Sequence, residues 1–359
     1  MKSGKILRSL LFTAGLSTAF WACQKDNDPG EVIQTQDKYI YGQGVFIVNE
    51  GNFLQGNGSV FFFNEERNTL FKDIFYTMNQ RPLGDVPTFM GIWGSSAYIV
   101  VNNSSKIEVV NKYNFISSGT ITGMTSPRQI LKVNDSKAYV SDLQNGGLHV
   151  IDLDGLKVSG FVDLGKSAEA LVFADNKVFA ANWSNFYVQA ENNTVQVIDP
   201  MTDQLAGEIT VTKEPNSMVV DKNGKLWVLC SGGFMNEEIP ALYRIDPQDL
   251  EIERKIEFPL LESSPTSLKA FAGGDSLIFL NPEVYVTGIE DTVLSSSPFI
   301  SAEGRFFYSL FTDPVHSWIY VSDAVDFQQE GSVLVFDRKG RKIREVSAGI
   351  VPGGFCYTE

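Results

Sequence analysis

Two histidines and three cysteines are all that a chain of 359 residues offers. That scarcity removes several kinds of chemistry at once. His149 sits inside a β-like run and His316 in a turn, and neither has metal-ligand spacing with the other or with a cysteine. There is no G-x-S-x-G elbow, no phosphate-cradling glycine loop and no zinc signature, so no cofactor is expected. Asp221-Lys-Asn-Gly224 opens like a calcium loop but lacks the later glutamate. Positive charge is short as well: 29 Lys and Arg face 43 Asp and Glu, a net charge of −14. Such a surface repels phosphate backbones and argues against nucleic acid as a partner. Helical periodicity of useful length is missing after the N-terminal segment. The apolar run Leu10 to Phe20 is too short to span a bilayer, which takes about 20 residues.

What is present begins with that run. Lys2, Lys5 and Arg8 precede it and no acidic residue interrupts it, the pattern of a secretory leader over residues 1–22. Its removal takes the net charge from −14 to −17, because three basic residues leave. Ala22-Cys23 after the run resembles a lipoprotein lipobox, with Cys23 the lipidated residue. Gln24-Lys25-Asp26-Asn27-Asp28 resembles the surface-export signal of gut-type Gram-negative bacteria. Residues 23–39, with Pro29 and Gly30, form a polar tether. The expected location is the outer membrane, lipid-anchored and facing outward. Cys230 and Cys356 lie in apolar runs and are expected to be buried free thiols.

The remainder is organised around one phrase, Lys213 to Cys230, KEPNSMVVDKNGKLWVLC. It reads as turn, strand, tight turn, strand, with Asp221 to Gly224 as the hairpin. The second strand is apolar on both faces and so must be covered on both sides. Looser versions recur, opening at Pro87, Pro127, Ala168, Pro215, Pro265, Gly304 and Pro352. Their mean interval is about 44 residues, the period of a four-stranded propeller blade. The first unit begins on its second strand, at Gly44. The missing first strand appears at the far end, Gly353 to Tyr357. This predicts an all-β, seven-bladed propeller over residues 40–359, one domain, its ring closed by the C-terminal strand.

Chain direction then places two loop sets on one face: those entering the innermost strands and those leaving the second strands. Long irregular loops with aromatics there are the functional candidates. Asn49, Asp142, Asn182, Asn281 and Asp323 end second strands. They either cap the loops through Asx turns or ring a ligand. Phe53, Trp183, Phe186, Tyr187, Phe234 and Phe327 could form platforms for a flat or sugar-like molecule, or pack on neighbouring loops. Arg128, Glu169, Asn216 and Arg305 sit by the entry turns, near the channel mouth. An Arg–Glu pair between blades is the plainer account of that charge.

GVFIVNEGNF, RPLGD, IVVNNSSKIEVV, GTITGMTSPR, KEPNSMVVDKNGKLWVLCSGG, ALYRIDP and YVSDAVDF together resemble the YncE-like propeller lipoproteins of gut-type Gram-negative anaerobes. The resemblance runs over most of residues 44–359. Some members of that group are surface cobalamin-binding proteins that pass the vitamin to a TonB-dependent outer-membrane transporter. The resemblance implies a non-enzymatic binding protein for a small nutrient, best matched by a corrinoid. Two alternatives stand beside it. One is a protein-interaction propeller without a small ligand. The other is a calcium-dependent lactonase-like enzyme, for which Asn49, Asn182, Asn281, Asp323 and Glu169 offer part of an ion site.

Overall fold

A computed structural model describes residues 41–358, so the expected leader over 1–22, Cys23 and the expected tether over 23–39 lie outside the described residues. The repeating phrase becomes a repeating sheet. The first blade contains β1 (Gly44–Asn49), β2 (Ser59–Asn64) and β3 (Thr69–Phe71). The second holds β4 (Pro87–Trp93), β5 (Ser96–Val101), β6 (Lys106–Asn111) and β7 (Ser117–Ile121). The third holds β8 (Pro127–Lys132), β9 (Lys137–Asp142), β10 (Gly147–Asp152) and β11 (Lys157–Asp163). The fourth holds β12 (Leu171–Ala174), β13 (Lys177–Ala181), β14 (Thr194–Asp199) and β15 (Gln204–Thr210). The fifth holds β16 (Pro215–Val220), β17 (Leu226–Cys230), β18 (Ala241–Ile245) and β19 (Ile252–Glu257). The sixth holds β20 (Thr266–Phe271), β21 (Ser276–Asn281) and β22 (Glu283–Gly288). The seventh holds β23 (Phe307–Thr312), β24 (Ile319–Asp323), β25 (Glu330–Phe336) and β26 (Lys342–Ile350).

β27 (Pro352–Thr358) completes the first blade, giving the order β27-β1-β2-β3. Its register against β1 runs from Gly44 opposite Thr358 to Asn49 opposite Pro352. The seven-bladed ring expected from the offset of the first unit is therefore present. Six blades are four-stranded. In the sixth the fourth position shrinks to a bridge between Val284 and Ile300. A short helix, α1 (Ile74–Asn79), joins the first blade to the second, capped by the Asp73 carboxylate on the Tyr76 N–H. Its six residues are too few to show a helical period in the sequence.

Second strands are the most buried part of each blade. All residues of β1, β17 and β24 are buried, as two-sided apolar strands require. Trp227 and Tyr320 are among the largest fully buried side chains. Trp227 keeps its polar end satisfied by donating Nε1–H to Asp221, 2.8 Å away. The outermost strands alternate, with β11 exposed at every other residue, since one face meets water.

Each innermost strand touches the next around the ring, from β27 through β4, β8, β12, β16, β20 and β23 back to β27. Side chains stitch these joints. Thr88 Oγ1 donates to the Arg128 carbonyl at 2.9 Å, and Gln129 exchanges two hydrogen bonds with the Leu171 backbone at 3.0 Å. Asn216 Nδ2 donates to the Pro265 carbonyl at 2.8 Å, and Thr312 Oγ1 to the Ala270 carbonyl at 2.9 Å. Groups buried between blades thus find partners across the joint.

Candidate functional site

One local irregularity builds the site. In β4, β8, β16, β20 and β23 the pairing with the second strand slips near the first residues, a β-bulge at the same level in each blade. The β27–β1 pair slips at the matching place, between Val48 and Asn49. A bulge leaves a residue out of the ladder and re-aims its side chain. Thr88, Arg128, Asn216, Ser267, Tyr308 and Gly353 occupy these stretches, and all line a central cavity of about 770 Å³. The turns before them are tightly held. Val86, Glu214 and Val351 each precede a proline with φ of 54°, 56° and 51°. Their carbonyls accept from the N–H of Asn102, Ser231 and Glu50, just past the second strands. Entry loops and second-strand exits are thereby tied together on one face, as chain direction implies.

Charged and aromatic side chains both line the cavity. Arg128 meets Glu169 two-pronged, Nε to Oε2 at 2.8 Å and Nη2 to Oε1 at 2.9 Å. Burial works against the guanidinium charge, but Glu169 and Glu50 more than offset it and raise its pKa. Glu50 accepts the Tyr308 hydroxyl at 2.9 Å. Burial lifts its carboxyl above the usual range, while Tyr308 and Arg128 pull the other way. Glu214 is also raised, chiefly by burial, and accepts from Ser231 Oγ at 2.9 Å. Lys269, on β20, differs from all of these. It lines the cavity, its side chain makes no ion pair or hydrogen bond among the described residues, and burial alone lowers its pKa. Among the rings Phe327 meets Phe306 edge-on at 5.0 Å and Tyr308 at 5.4 Å. Phe311 stacks on Phe355 at 5.9 Å, and Trp183 and Phe234 also line the cavity. A second hollow of about 530 Å³ adjoins at Ser264 and Pro282, walled by Phe258, Leu260, Phe279, Tyr285 and Leu294.

Of the residues singled out in the sequence, Arg128, Glu169, Trp183, Asn216, Phe234 and Phe327 come together in this cavity. The others stand elsewhere, for physical reasons. Asn49 accepts from Gly349 N at 2.8 Å and donates to Ser59 and Ile47. Asn182 bonds Ser167, Thr194 and Gln196, and Asn281 caps Ser264 N. Asp142 accepts four backbone N–H groups and His149 Nε2. Burial alone would raise its carboxyl, yet those bonds hold it down at about 2. Asp323 accepts from Phe306 N, Val325 N and Arg305, and Arg305 turns to Glu345 at 2.9 Å. Asp142 and Asp323 cap the loops that follow them, while Asn49, Asn182 and Asn281 bond neighbouring segments. Phe53, Phe186 and Tyr187 are exposed on the surrounding loops, the last two edge-to-face at 4.9 Å.

Glu50, Tyr308, Phe306 and Lys269 belong to the cavity and were not singled out. Their one signal is position, since each lies at an innermost-strand entry or a second-strand exit.

Residues 43–290 match the family described as a domain of unknown function, DUF5074, and the chain belongs to that family. No curated protein matches it. Among solved structures it is similar to a quinonprotein alcohol dehydrogenase-like protein from Bacteroides thetaiotaomicron. The identity is 16%, the TM-score 0.66, and the match covers 88% of this chain and 78% of the other. It is also similar to a candidate 6-phosphogluconolactonase from Bacteroides fragilis, at 12% identity and TM-score 0.65, covering 89% and 98%. A corresponding protein from Bacteroides uniformis gives 13% and 0.64, covering 89% and 100%. At these identities the shared property is the propeller fold alone.

Proposed function

We propose that this chain is a surface lipoprotein that binds a small nutrient in the central cavity and passes it to a TonB-dependent outer-membrane transporter. The observation that carries the reading is the cavity itself: it is lined by both charged side chains and aromatic rings, with the Lys269 side chain on the innermost strand of the sixth blade. A volume of about 770 Å³ suits one small organic ligand. A corrinoid is the ligand class favoured. It is a flat macrocycle fringed with amides, and cobalamin adds a phosphodiester. Rings such as Phe306, Phe327 and Trp183 offer stacking surface, and Lys269 matches the anion.

The rim supports the delivery step. Phe53, Leu54, Phe186, Phe234 and Met235 are each more than 65% exposed on loops of the cavity face. Apolar side chains gathered on one face are how a soluble domain meets a partner. The leader, Cys23 and tether supply the outer-membrane anchor. No chemical step is assigned to the protein.

Calorimetry of residues 24–359 with cyanocobalamin tests the ligand. Saturable one-to-one binding is expected. Undetectable heat and unchanged Trp emission at high micromolar vitamin would remove the corrinoid.

A further inference from the structure

Sequence spacing leaves His316 without histidine or cysteine neighbours, but the fold gives it carboxylates. The β23–β24 turn carries Asp313 and His316 in the seventh blade. Glu65 follows β2 in the first blade. Ring closure sets these three side by side, with one donor atom from each within 4.8 Å of the others. His316 Nδ1 is 3.6 Å from Asp313 Oδ2 and 3.8 Å from Glu65 Oε2. Ligands about 2.1 Å from one tetrahedral ion lie roughly 3.4 Å apart, so these spacings need only small adjustment.

An independent observation points the same way. The Glu65 side chain is 6% exposed, and its Oε2 is buried with no hydrogen-bond partner. Its other oxygen accepts the Tyr320 hydroxyl, so the bare atom is the one turned toward Asp313 and His316. A buried carboxylate oxygen without a donor is costly unless something positive meets it. The nearby cation Arg344 does not do so: it bonds Asn68 and lies over Trp318 at 5.3 Å.

The surroundings are already ordered. Asp313 Oδ1 accepts from Val315 N and His316 N at 2.7 Å, and Oδ2 from Trp318 N at 3.1 Å. The His316 ring stacks on Trp318 at 4.7 Å. Partners of this kind fix ligand orientation before an ion arrives. His316 is 40% exposed, which leaves an entry path and room for water as a further ligand.

The geometry points to a binding site for a divalent transition ion of the zinc class, held by Glu65, Asp313 and His316 across the seam between the seventh and first blades. One imidazole with two carboxylates suits zinc, whereas calcium prefers an all-oxygen set. The site lies on the face opposite the cavity mouth, so it is separate from nutrient binding. Its role is to clip the joint on which ring closure depends.

The test uses the purified chain stripped with a chelator and titrated with Zn²⁺ or Ca²⁺ by calorimetry, with thermal unfolding followed in parallel. One equivalent of Zn²⁺ should bind with a micromolar or tighter dissociation constant and raise the unfolding midpoint, while Ca²⁺ gives neither effect. Glu65→Gln and His316→Gln should each weaken Zn²⁺ binding at least about tenfold and abolish the midpoint shift. His316 is on an exposed turn, so its variant keeps the test informative even if Glu65→Gln folds poorly. No uptake at high micromolar Zn²⁺, equal uptake of Ca²⁺, or uptake untouched in the His316 variant would each overturn the site.

Discussion

Arg128 and Glu169 join the third and fourth blades by a two-pronged ion pair, with oxygen to nitrogen distances of 2.8–3.0 Å. Arg128 begins the innermost strand of one blade and Glu169 the entry of the next. The pair therefore shapes the cavity and braces a joint at once.

Arg128→Ala should lower the unfolding free energy by about 3 kcal/mol, because it strands Glu169 in a half-buried site. Arg128→Ala with Glu169→Ala should recover part of that loss. Urea denaturation of the four proteins in a double-mutant cycle checks it. A coupling energy near zero would reduce the pair to decoration.

Lys269 should leave a pH signature. Burial lowers its pKa, so the folded chain binds fewer protons than the unfolded chain between the depressed value and the ordinary one near 10.4. Stability from this group is complete above the unfolded pKa and is lost as pH falls through the folded value. Lys269→Met should remove that slope and stabilise the chain at neutral pH by about 1 kcal/mol. It should also weaken an anionic ligand. Urea midpoints between neutral and alkaline pH give the first effect, and calorimetry the second.

Glu50 titrates with the opposite sense. Its folded pKa is raised, chiefly by burial, so its contribution is present below the unfolded value near 4.3 and lost as pH rises through the folded one. Glu50→Gln keeps an acceptor for Tyr308 and should flatten this part of the curve. Unfolding midpoints across the mildly acidic range report it. An unchanged curve would contradict the burial assigned to Glu50.

Neither described thiol should react in the folded protein. Cys230 is fully buried, and burial pushes its thiol well above the ordinary range. Cys356 is pushed up to about 12 by burial. Iodoacetamide at mildly alkaline pH should leave both unmodified by mass spectrometry and label both in denaturant.

Removing Pro352 to Glu359 should abolish cooperative folding. It deletes β27 and leaves β1 with an open edge at the core of the first blade. Loss of a single thermal transition, with aggregation, is the expected result. A cooperative transition near the parent midpoint would show that closure is dispensable.

The ring was legible in the sequence because its signals are periodic. Entry turns recur at even spacing, and second strands such as Leu226–Cys230 are apolar on both faces. The far-end strand was legible because the first unit lacked one. The cavity was harder to see. In Thr266–Phe271 simple alternation assigns faces by parity, but the slip between Thr266 and Lys269 breaks that parity. The Lys269 side chain thus hides in an ordinary-looking strand. Asn49, Asp142, Asn182 and Asp323 were visible as a ring of Asx residues, yet composition cannot say whether such a side chain turns to its own backbone or to a ligand. Glu65 and His316 meet only after closure, across most of the chain length, and no local pattern joins them.

The pairing of β27 with β1 also sets a timetable. β1 is made first among the described strands and β27 last, so the opening blade waits for its innermost strand through nearly the whole of synthesis. Until then the nascent chain carries an unfinished edge and no closed ring to resist unravelling. A polypeptide arranged this way stays threadable while it is being made and locks only once its tail has arrived.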